Sequence, residues 1–221
     1  MRSRSPLYPP PPMKNRLLLS TLLTLATASA SHAGIVWSGP MDVPVPFNFD
    51  GLYLNPFTGA TATTLPADWN AAPWLNPFFG GVNIGSDALL RPVITGADQV
   101  VNLGAGATIS AAGTFAAGES GSTTHVGAAA NQFHLGTPGY LGVAFEPSLV
   151  GATYYGWAQI TISNTGAGTL HGWAYEDAAG TAIRAGAVPV PEPGTALFGL
   201  ALLGTALTRR HRADARFAKV G

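Results

Sequence analysis

The spacing of turn residues between positions 34 and 188 most constrains how this chain can fold. Short apolar stretches recur there, and glycine, proline, asparagine or aspartate interrupts them about every 8 to 12 positions. Such spacing is typical of an all-β sandwich or barrel. No stretch with the 3.6-residue period of an amphipathic helix exceeds about ten residues, so long helices are not expected. The pattern predicts one antiparallel β-sandwich domain, of jelly-roll type, over residues 34–188.

The clearest strand signals lie in the second half of this domain, in YLGVAFE (140–146), TYYGWAQITIS (153–163) and TLHGWAYE (169–176). Large side chains recur there at every second position, as they do in strands. The segment NTGAG (164–168) separates the last two runs, which favours an antiparallel hairpin. In the last run, strict alternation predicts that Leu170 and Ala174 share one face of the sheet and that Trp173 and Tyr175 share the other.

Charge is segregated along the chain, although the formal net charge is zero. Residues 34–188 carry nine acidic side chains against two basic ones, Arg91 and Arg184, which leaves this segment about seven charges negative. An acidic, lysine-free domain would repel phosphate backbones, so we expect no nucleic-acid partner. The chain also lacks cysteine, which excludes thiolate nucleophiles and cysteine-ligated metal sites.

The N-terminal end predicts a secretory signal peptide over residues 1–33. A positively charged region that begins at Met13 precedes the 12-residue apolar run 17–28, which is short for a bilayer span. Ser31 and Ala33 supply the small side chains that signal peptidase requires before its cleavage site, and Ala28 and Ala30 offer an alternative site. We therefore expect export through the Sec translocon and removal of the signal peptide. The residues before Met13 fit neither a signal nor a fold, so we expect translation to start there.

The C-terminal end carries three features in succession within PVPEPGTALFGLALLGTALTRRHR (189–212). The first is an acidic motif between prolines, formed by Pro191, Glu192 and Pro193. Proline restricts the backbone and lacks an N–H donor, which keeps this motif extended and unpaired. The second is an uncharged transmembrane segment over 194–208, which as a helix would span roughly 20 Å of a hydrocarbon core about 30 Å thick. The third is a basic stop-transfer cluster, formed by Arg209, Arg210 and Arg212.

This succession resembles a PEP-CTERM sorting signal, by which exosortase-type membrane proteases recognise exported proteins in Gram-negative bacteria that make exopolysaccharide. The resemblance assigns the sorting signal to residues 189–221, although the tail ADARFAKVG (213–221) is longer than is usual. It implies a transient membrane anchor, cleavage at or near the Pro-Glu-Pro motif, and release or transfer to the cell surface. The run DGLYLNPFTG (50–59), together with the strand region after 153, also resembles a core found in many PEP-CTERM proteins, and that core carries no catalytic motif.

Catalytic signatures are weak in the central domain. GESGS (118–122) approaches the Gly-x-Ser-x-Gly motif of serine hydrolases, but no apolar strand precedes it. The histidines show no short ligand spacing, so we expect neither a metal nor another cofactor. Glu146 and Glu176 are candidates for a glycosidase pair, but nothing in the sequence brings them together. We expect both carboxylates to be solvated at the surface.

The tryptophans raise the question of sugar binding, because exposed indole rings stack on sugars. DWNAAPWLNPFFGG (68–81) is aromatic and loop-like, so we predict a ligand platform at Trp69 and Trp74. Trp157 and Trp173 are instead expected to pack in the core or against each other across the hairpin. The leading hypothesis is an exported, non-enzymatic surface or matrix protein. The alternatives are a carbohydrate-binding module for exopolysaccharide and, less favoured, a polysaccharide-active hydrolase.

Overall fold

A computed structural model describes residues 34–78, 81–96, 99–116, 126–163, 165 and 167–190. The predicted signal peptide, the Pro-Glu-Pro motif, the transmembrane segment and the arginine cluster lie outside these residues. The described residues form antiparallel β-strands and no helix, which confirms the all-β prediction. Accordingly, the described ranges contain no helix with the length and apolar character needed to cross a membrane.

Thirteen short and medium strands make up this part of the chain. In chain order they are β1 (Ile35–Trp37), β2 (Val43–Val45), β3 (Tyr53–Leu54), β4 (Thr61–Ala62), β5 (Leu75–Phe78), β6 (Gly81–Ile84), β7 (Leu90–Pro92), β8 (Asn102–Leu103), β9 (Thr108–Ile109), β10 (Gly139–Phe145), β11 (Tyr154–Ile162), β12 (Gly168–Glu176) and β13 (Ile183–Arg184). The three longest, β10, β11 and β12, coincide with the three clearest strand signals of the sequence.

The largest sheet has seven strands and is built around β10, β11 and β12. Its order is β1-β12-β11-β10-β7, with β2 also paired to β12 and β8 also paired to β10. The predicted hairpin is confirmed, because β11 and β12 pair antiparallel from Gly156 opposite Tyr175 to Ile162 opposite Gly168. A four-stranded sheet, β4-β3-β5-β6, and the two-stranded pair β13-β9 complete the described structure.

Both faces of the seven-stranded sheet carry buried apolar side chains. On the first face, Leu141, Phe145 and neighbouring side chains join Leu54 and Leu75 of the four-stranded sheet in one hydrophobic cluster. On the second face, Tyr155, Trp157 and Ala174 form a smaller cluster with Ile109 and Ile183 of the two-stranded pair. Covering on both faces explains why β11 and β12 contain so few charged residues. The sandwich architecture, and its jelly-roll type, stay predictions.

A β-bulge in β12 overturns the strict alternation expected there. Gln159 is opposite Gly172, but the next residue, Ile160, is opposite Leu170, so His171 has no partner of its own. The extra residue turns Leu170 to the first face, into the cluster that also contains Trp173 and Tyr175. The prediction that Leu170 shares a face with Ala174 is therefore wrong. The bulge also leaves His171 free to turn toward the second face.

Candidate functional site

A cleft of about 290 Å³ opens on the second face of the seven-stranded sheet. We call it the Trp37 cleft. Five strands or their flanks contribute its principal side chains, which are Trp37, Asp42, Tyr140, Trp157, Gln159 and His171. Gly186 and Val188, which follow the last strand, complete its wall. Its volume lies just below the range that is usual for small-ligand sites, about 300 to 1,000 Å³.

Cross-strand pairing explains how the aromatic part of this cleft is assembled. Trp37 in β1 lies opposite Ala174 in β12, and Ala174 lies opposite Trp157 in β11. The small alanine between the two indoles leaves space above the sheet. Tyr140 of β10 lies opposite Gln159 and packs edge-on against Trp157, with 5.5 Å between ring centroids. Trp157 is buried, whereas Trp37 is 40% exposed, so Trp37 presents the accessible ring.

The polar end of the cleft is held by a chain of hydrogen bonds through His171. Its Nδ1 donates to Oδ1 of Asp42 at 2.6 Å, because a carboxylate can only accept. Its Nε2 lies 2.7 Å from the Thr161 hydroxyl oxygen, which donates to the ring when the imidazole is neutral. Asp42 itself has a φ of 52°, a left-handed conformation that costs energy for a residue with a Cβ. The hydrogen bond from His171 therefore holds the Asp42 carboxylate in place, although the backbone conformation of Asp42 is unfavourable.

Hydrolytic triads place a carboxylate, an imidazole and a hydroxyl in the same order. Here, however, Thr161 is absent from the residues that line the cleft, so its hydroxyl does not face the space that a substrate would occupy. The hydrogen bonds of His171 support a positioning role instead. Both ring nitrogens of His171 already have hydrogen-bond partners. The group that remains available to a ligand in the cleft is the second carboxylate oxygen of Asp42.

Three further polar groups in the Trp37 cleft have no partner within the described part of the chain. They are the Gln159 amide, the Tyr140 hydroxyl and the indole N–H of Trp37. Polar groups in a partly enclosed site normally bind protein, water or a ligand. Together they offer donors as well as acceptors beside an exposed aromatic ring. That combination is typical of a small-molecule binding site.

The two tryptophans of the predicted ligand platform differ in their burial. Trp74 is only 6% exposed, and its Nε1 donates to Oδ1 of Asp68 at 3.0 Å. Trp69 is half-buried and packs edge-on against Tyr53 at 5.2 Å. The Trp74 ring is therefore not available for stacking on a ligand, because its burial occupies the faces that a sugar would use. Ligand binding through Trp69 stays a prediction.

Trp157 and Trp173 lie in the core, as predicted. They do not pack against each other, since Trp157 belongs to the cluster on the second face and Trp173 to the cluster on the first. Trp173 stacks on Tyr175 instead, with 6.1 Å between ring centroids. Trp157 donates its Nε1 hydrogen to the carbonyl oxygen of Ala187 at 3.1 Å. The indole of Trp157 thus ties the end of the described chain to the sheet.

Hydrogen bonds hold the segment after β13 in place as far as Ala187. The Ala185 N–H donates to the Ala107 carbonyl at 2.8 Å, and its carbonyl accepts from the Gly106 N–H at 2.9 Å. Val188, in the wall of the Trp37 cleft, precedes Pro191 by three residues.

The candidate glycosidase carboxylates lie in different surroundings. Glu146 accepts hydrogen bonds from the Thr153 hydroxyl at 3.0 Å and from Arg91 Nη2 at 3.5 Å. Glu176 is 7% exposed, so the expectation of a solvated surface carboxylate is wrong for this residue. Burial raises the pKa of its carboxyl group, and the charge of Asp177 raises it further, while backbone N–H groups of Ala178 and Asp177 lower it.

A second cleft, of about 570 Å³, lies beside the ion pair of Arg91 with Glu146. Asp87 is the acidic residue among its lining side chains, and Asp42 is the acidic residue among those of the Trp37 cleft. Neither of these two clefts therefore brings together the two carboxylates that a glycosidase needs. In the described ranges, no group of three or more histidine, aspartate or glutamate side chains is placed to hold a metal ion.

Comparison with known proteins identifies the C-terminal end. Residues 189–212 match the family model of the PEP-CTERM protein-sorting motif. No curated protein and no solved structure matches the chain. The match confirms the resemblance found in the sequence, and the chain carries this motif. The motif implies exosortase processing, export and membrane-associated sorting toward the cell surface.

Proposed function

We propose that this chain, which carries a PEP-CTERM motif, is a non-enzymatic protein of the cell surface or extracellular matrix. The Sec translocon exports it, and signal peptidase cleaves after Ala33. The segment 194–208 then holds the protein in the membrane until an exosortase cleaves at or near Pro-Glu-Pro. The β-domain is the part that remains on the surface. The match over 189–212 is the observation that carries this proposal.

The attachment of the motif to the β-domain supports the proposed order of events. Trp157 and Ala107 hold the backbone of Ala187 and Ala185 on the sheet, and only three residues then lead to Pro191. A domain tethered so closely would sit next to the bilayer while the anchor is in place. Cleavage at or near Pro-Glu-Pro would release it without removing any described strand.

Replacement of the motif tests the sorting part of the proposal. We expect a variant with Pro191→Ala, Glu192→Ala and Pro193→Ala to keep its full tail and to stay in the membrane fraction. The matched control, Pro189→Ala with Val190→Ala, changes two neighbouring residues outside the triplet and should be processed like the wild type. Intact mass and cell fractionation provide the readouts. Unchanged processing and location of the triple variant would exclude recognition through the triplet.

The non-enzymatic part of the proposal rests on the absence of a catalytic signature in the sequence. The geometry of the two described clefts is in keeping with it, because each has one carboxylate among its lining residues. A polysaccharide-active hydrolase is therefore the weakest of the three hypotheses. Incubation of the exported protein with polysaccharides of different linkage, followed by a reducing-end assay, tests it. Release of new reducing ends above a mock purification would overturn the non-enzymatic proposal.

A carbohydrate-binding module that interacts with exopolysaccharide is the second candidate function. The observation that favours it is the exposed indole of Trp37 beside unpaired polar groups, rather than the predicted pair Trp69 and Trp74. A glycan array probed with the exported protein tests this candidate. Binding to one class of glycan above background supports it, and an empty array refutes it.

A further inference from the structure

Trp37 gives its cleft a flat apolar surface that solvent can reach. The ring is 40% exposed, although it lies in a sheet whose other two tryptophans, Trp157 and Trp173, are buried. Its cross-strand neighbour is Ala174, so no large side chain stands between Trp37 and Trp157. An exposed aromatic ring above a gap of this kind suits a flat ligand with C–H groups on one side, as a pyranose ring has.

The polar groups around this ring suit a ligand with several hydroxyl groups. A hydroxyl both donates and accepts hydrogen bonds, and the cleft offers both kinds of partner. The amide of Gln159 can donate and accept, the Tyr140 hydroxyl can do the same, and the second oxygen of Asp42 can accept. None of these groups has a partner elsewhere in the described residues. A ligand with neighbouring hydroxyls would satisfy them together.

The charge around the cleft selects against acidic ligands. Its lining contains one carboxylate, on Asp42, and neither lysine nor arginine. The domain from 34 to 188 carries nine acidic and two basic side chains, so its field also repels anions. His171 presents no free N–H to an anion, since both of its ring nitrogens are engaged by Asp42 and Thr161. A neutral sugar fits these conditions, and a uronic acid or a sulfated sugar does not.

The cleft is also held in a fixed shape. Asp42 is fixed by His171, Tyr140 packs on Trp157, and Trp157 is bonded to Ala187. Gly186 lies so close to Tyr140 that a Cβ there would be 2.7 Å from the hydroxyl oxygen. Groups that are already ordered lose little conformational entropy on binding. Because these side chains are already held in place, each sugar unit of a polysaccharide can bind to them at a low entropic cost.

From these observations we infer that the Trp37 cleft binds a neutral pyranose unit of a polysaccharide, with Trp37 as the stacking ring and with Asp42, Gln159 and Tyr140 as hydrogen-bonding partners. This inference rests on the second candidate function, carbohydrate binding, and assigns it a site and a ligand class. Val188, in the wall of the site, precedes the sorting motif by three residues in the sequence.

Calorimetric titration of the exported protein tests the inference. The probes are neutral oligosaccharides, such as gluco- and manno-configured hexamers, and an acidic one, oligogalacturonate. We expect binding of a neutral oligosaccharide, a loss of about tenfold or more in affinity for Trp37→Ala, and a smaller loss for Trp37→Phe, which keeps a ring. Phe57→Ala removes a ring of similar exposure (41%) that packs on the other face, so it is the matched control and should bind like the wild type. Trp69→Ala tests the competing platform. Gln159→Glu replaces the amide donor and should weaken binding without touching the core.

The outcomes distinguish a wrong binding site from the absence of carbohydrate binding. If no oligosaccharide binds to the wild type, carbohydrate binding itself is refuted. If the affinity falls for Trp69→Ala and stays unchanged for Trp37→Ala, the module stands but the Trp37 site is wrong. Preference for oligogalacturonate overturns the neutral ligand class. Near-UV circular dichroism confirms that each variant is folded, and if Trp37→Ala is not, the comparison rests on Trp37→Phe and Gln159→Glu.

Discussion

Phe145 is the residue whose truncation should reveal most about how the β-domain is held together. It lies at the end of β10, is fully buried, and belongs to the cluster that joins the seven-stranded and four-stranded sheets. Its ring stacks on Tyr154 at 5.8 Å and meets Tyr175 edge-on at 5.3 Å. Phe57, from the loop after β3, packs against the same rings from outside. Phe145→Ala would therefore leave a cavity between the two sheets.

The expected cost follows from this burial. Truncation of a fully buried phenylalanine to alanine destabilises a protein by about 3 to 5 kcal/mol, which includes the lost transfer free energy and the cavity. For a domain of this size, each kcal/mol lowers the melting temperature by about 2 to 4 °C. Phe145→Ala should therefore lower it by about 6 to 20 °C. Phe57→Ala should cost less, because Phe57 is already 41% exposed and its removal leaves no enclosed cavity.

Thermal unfolding of the exported protein, followed by circular dichroism, measures these differences. Phe145→Leu is the matched control, since it fills most of the cavity and should cost only about 1.5 kcal/mol. A melting temperature within about 2 °C of the wild type for Phe145→Ala would mean that the cluster between the sheets does not hold the domain together. An equal drop in melting temperature for Phe57→Ala would mean that the loop after β3 stabilises the domain as much as the buried Phe145 ring does.

Two further predictions concern the backbone and the buried carboxylate. Gly51→Ala should destabilise the domain by about 3 kcal/mol or more, because Gly51 has a φ of 55° and a Cβ there would overlap the Pro77 carbonyl oxygen. Gly106→Ala, with a φ of 82° but no atom within 4 Å, should cost only about 1 to 2 kcal/mol, and equal melting temperatures would refute the close approach. Burial raises the pKa of Glu176, so the folded state holds its proton more tightly than the unfolded state and loses stability as the pH rises above about 4.5. Glu176→Gln, which cannot ionise, should therefore gain stability relative to the wild type between pH 4 and pH 7, and a constant difference in melting temperature would contradict this.

The strands of the central hairpin were predictable because their signal is local. Tyr155 and Trp157 alternate with Ala158 and Ile160, and each set lies on the face that a period of two predicts. The bulge at His171 was not predictable in this way. One extra residue in β12 leaves no mark on composition, and only the pairing with β11 determines where it is placed.

The candidate site was harder to predict, because it is assembled across the sheet. Asp42, Tyr140, Gln159 and His171 come from separate segments, and antiparallel pairing brings them together. The best indication of this site in the sequence is Gln159, which is a polar residue inside an otherwise apolar run. Trp74 was misleading for the opposite reason. The loop-like sequence around Trp74 suggested that its ring is exposed. In the structure Trp74 is buried directly before β5, and its Nε1 donates a hydrogen bond to Asp68.

The intact mass of the wild-type protein, collected from the cell surface and from the medium, tests the central claim most directly. If the PEP-CTERM motif directs sorting and processing, the mature chain begins near Gly34 and ends at or near Pro191–Pro193. Its mass then excludes the transmembrane segment and the arginine cluster. Surface or medium protein whose mass still includes Arg209, Arg210 and Arg212 would contradict the proposed cleavage.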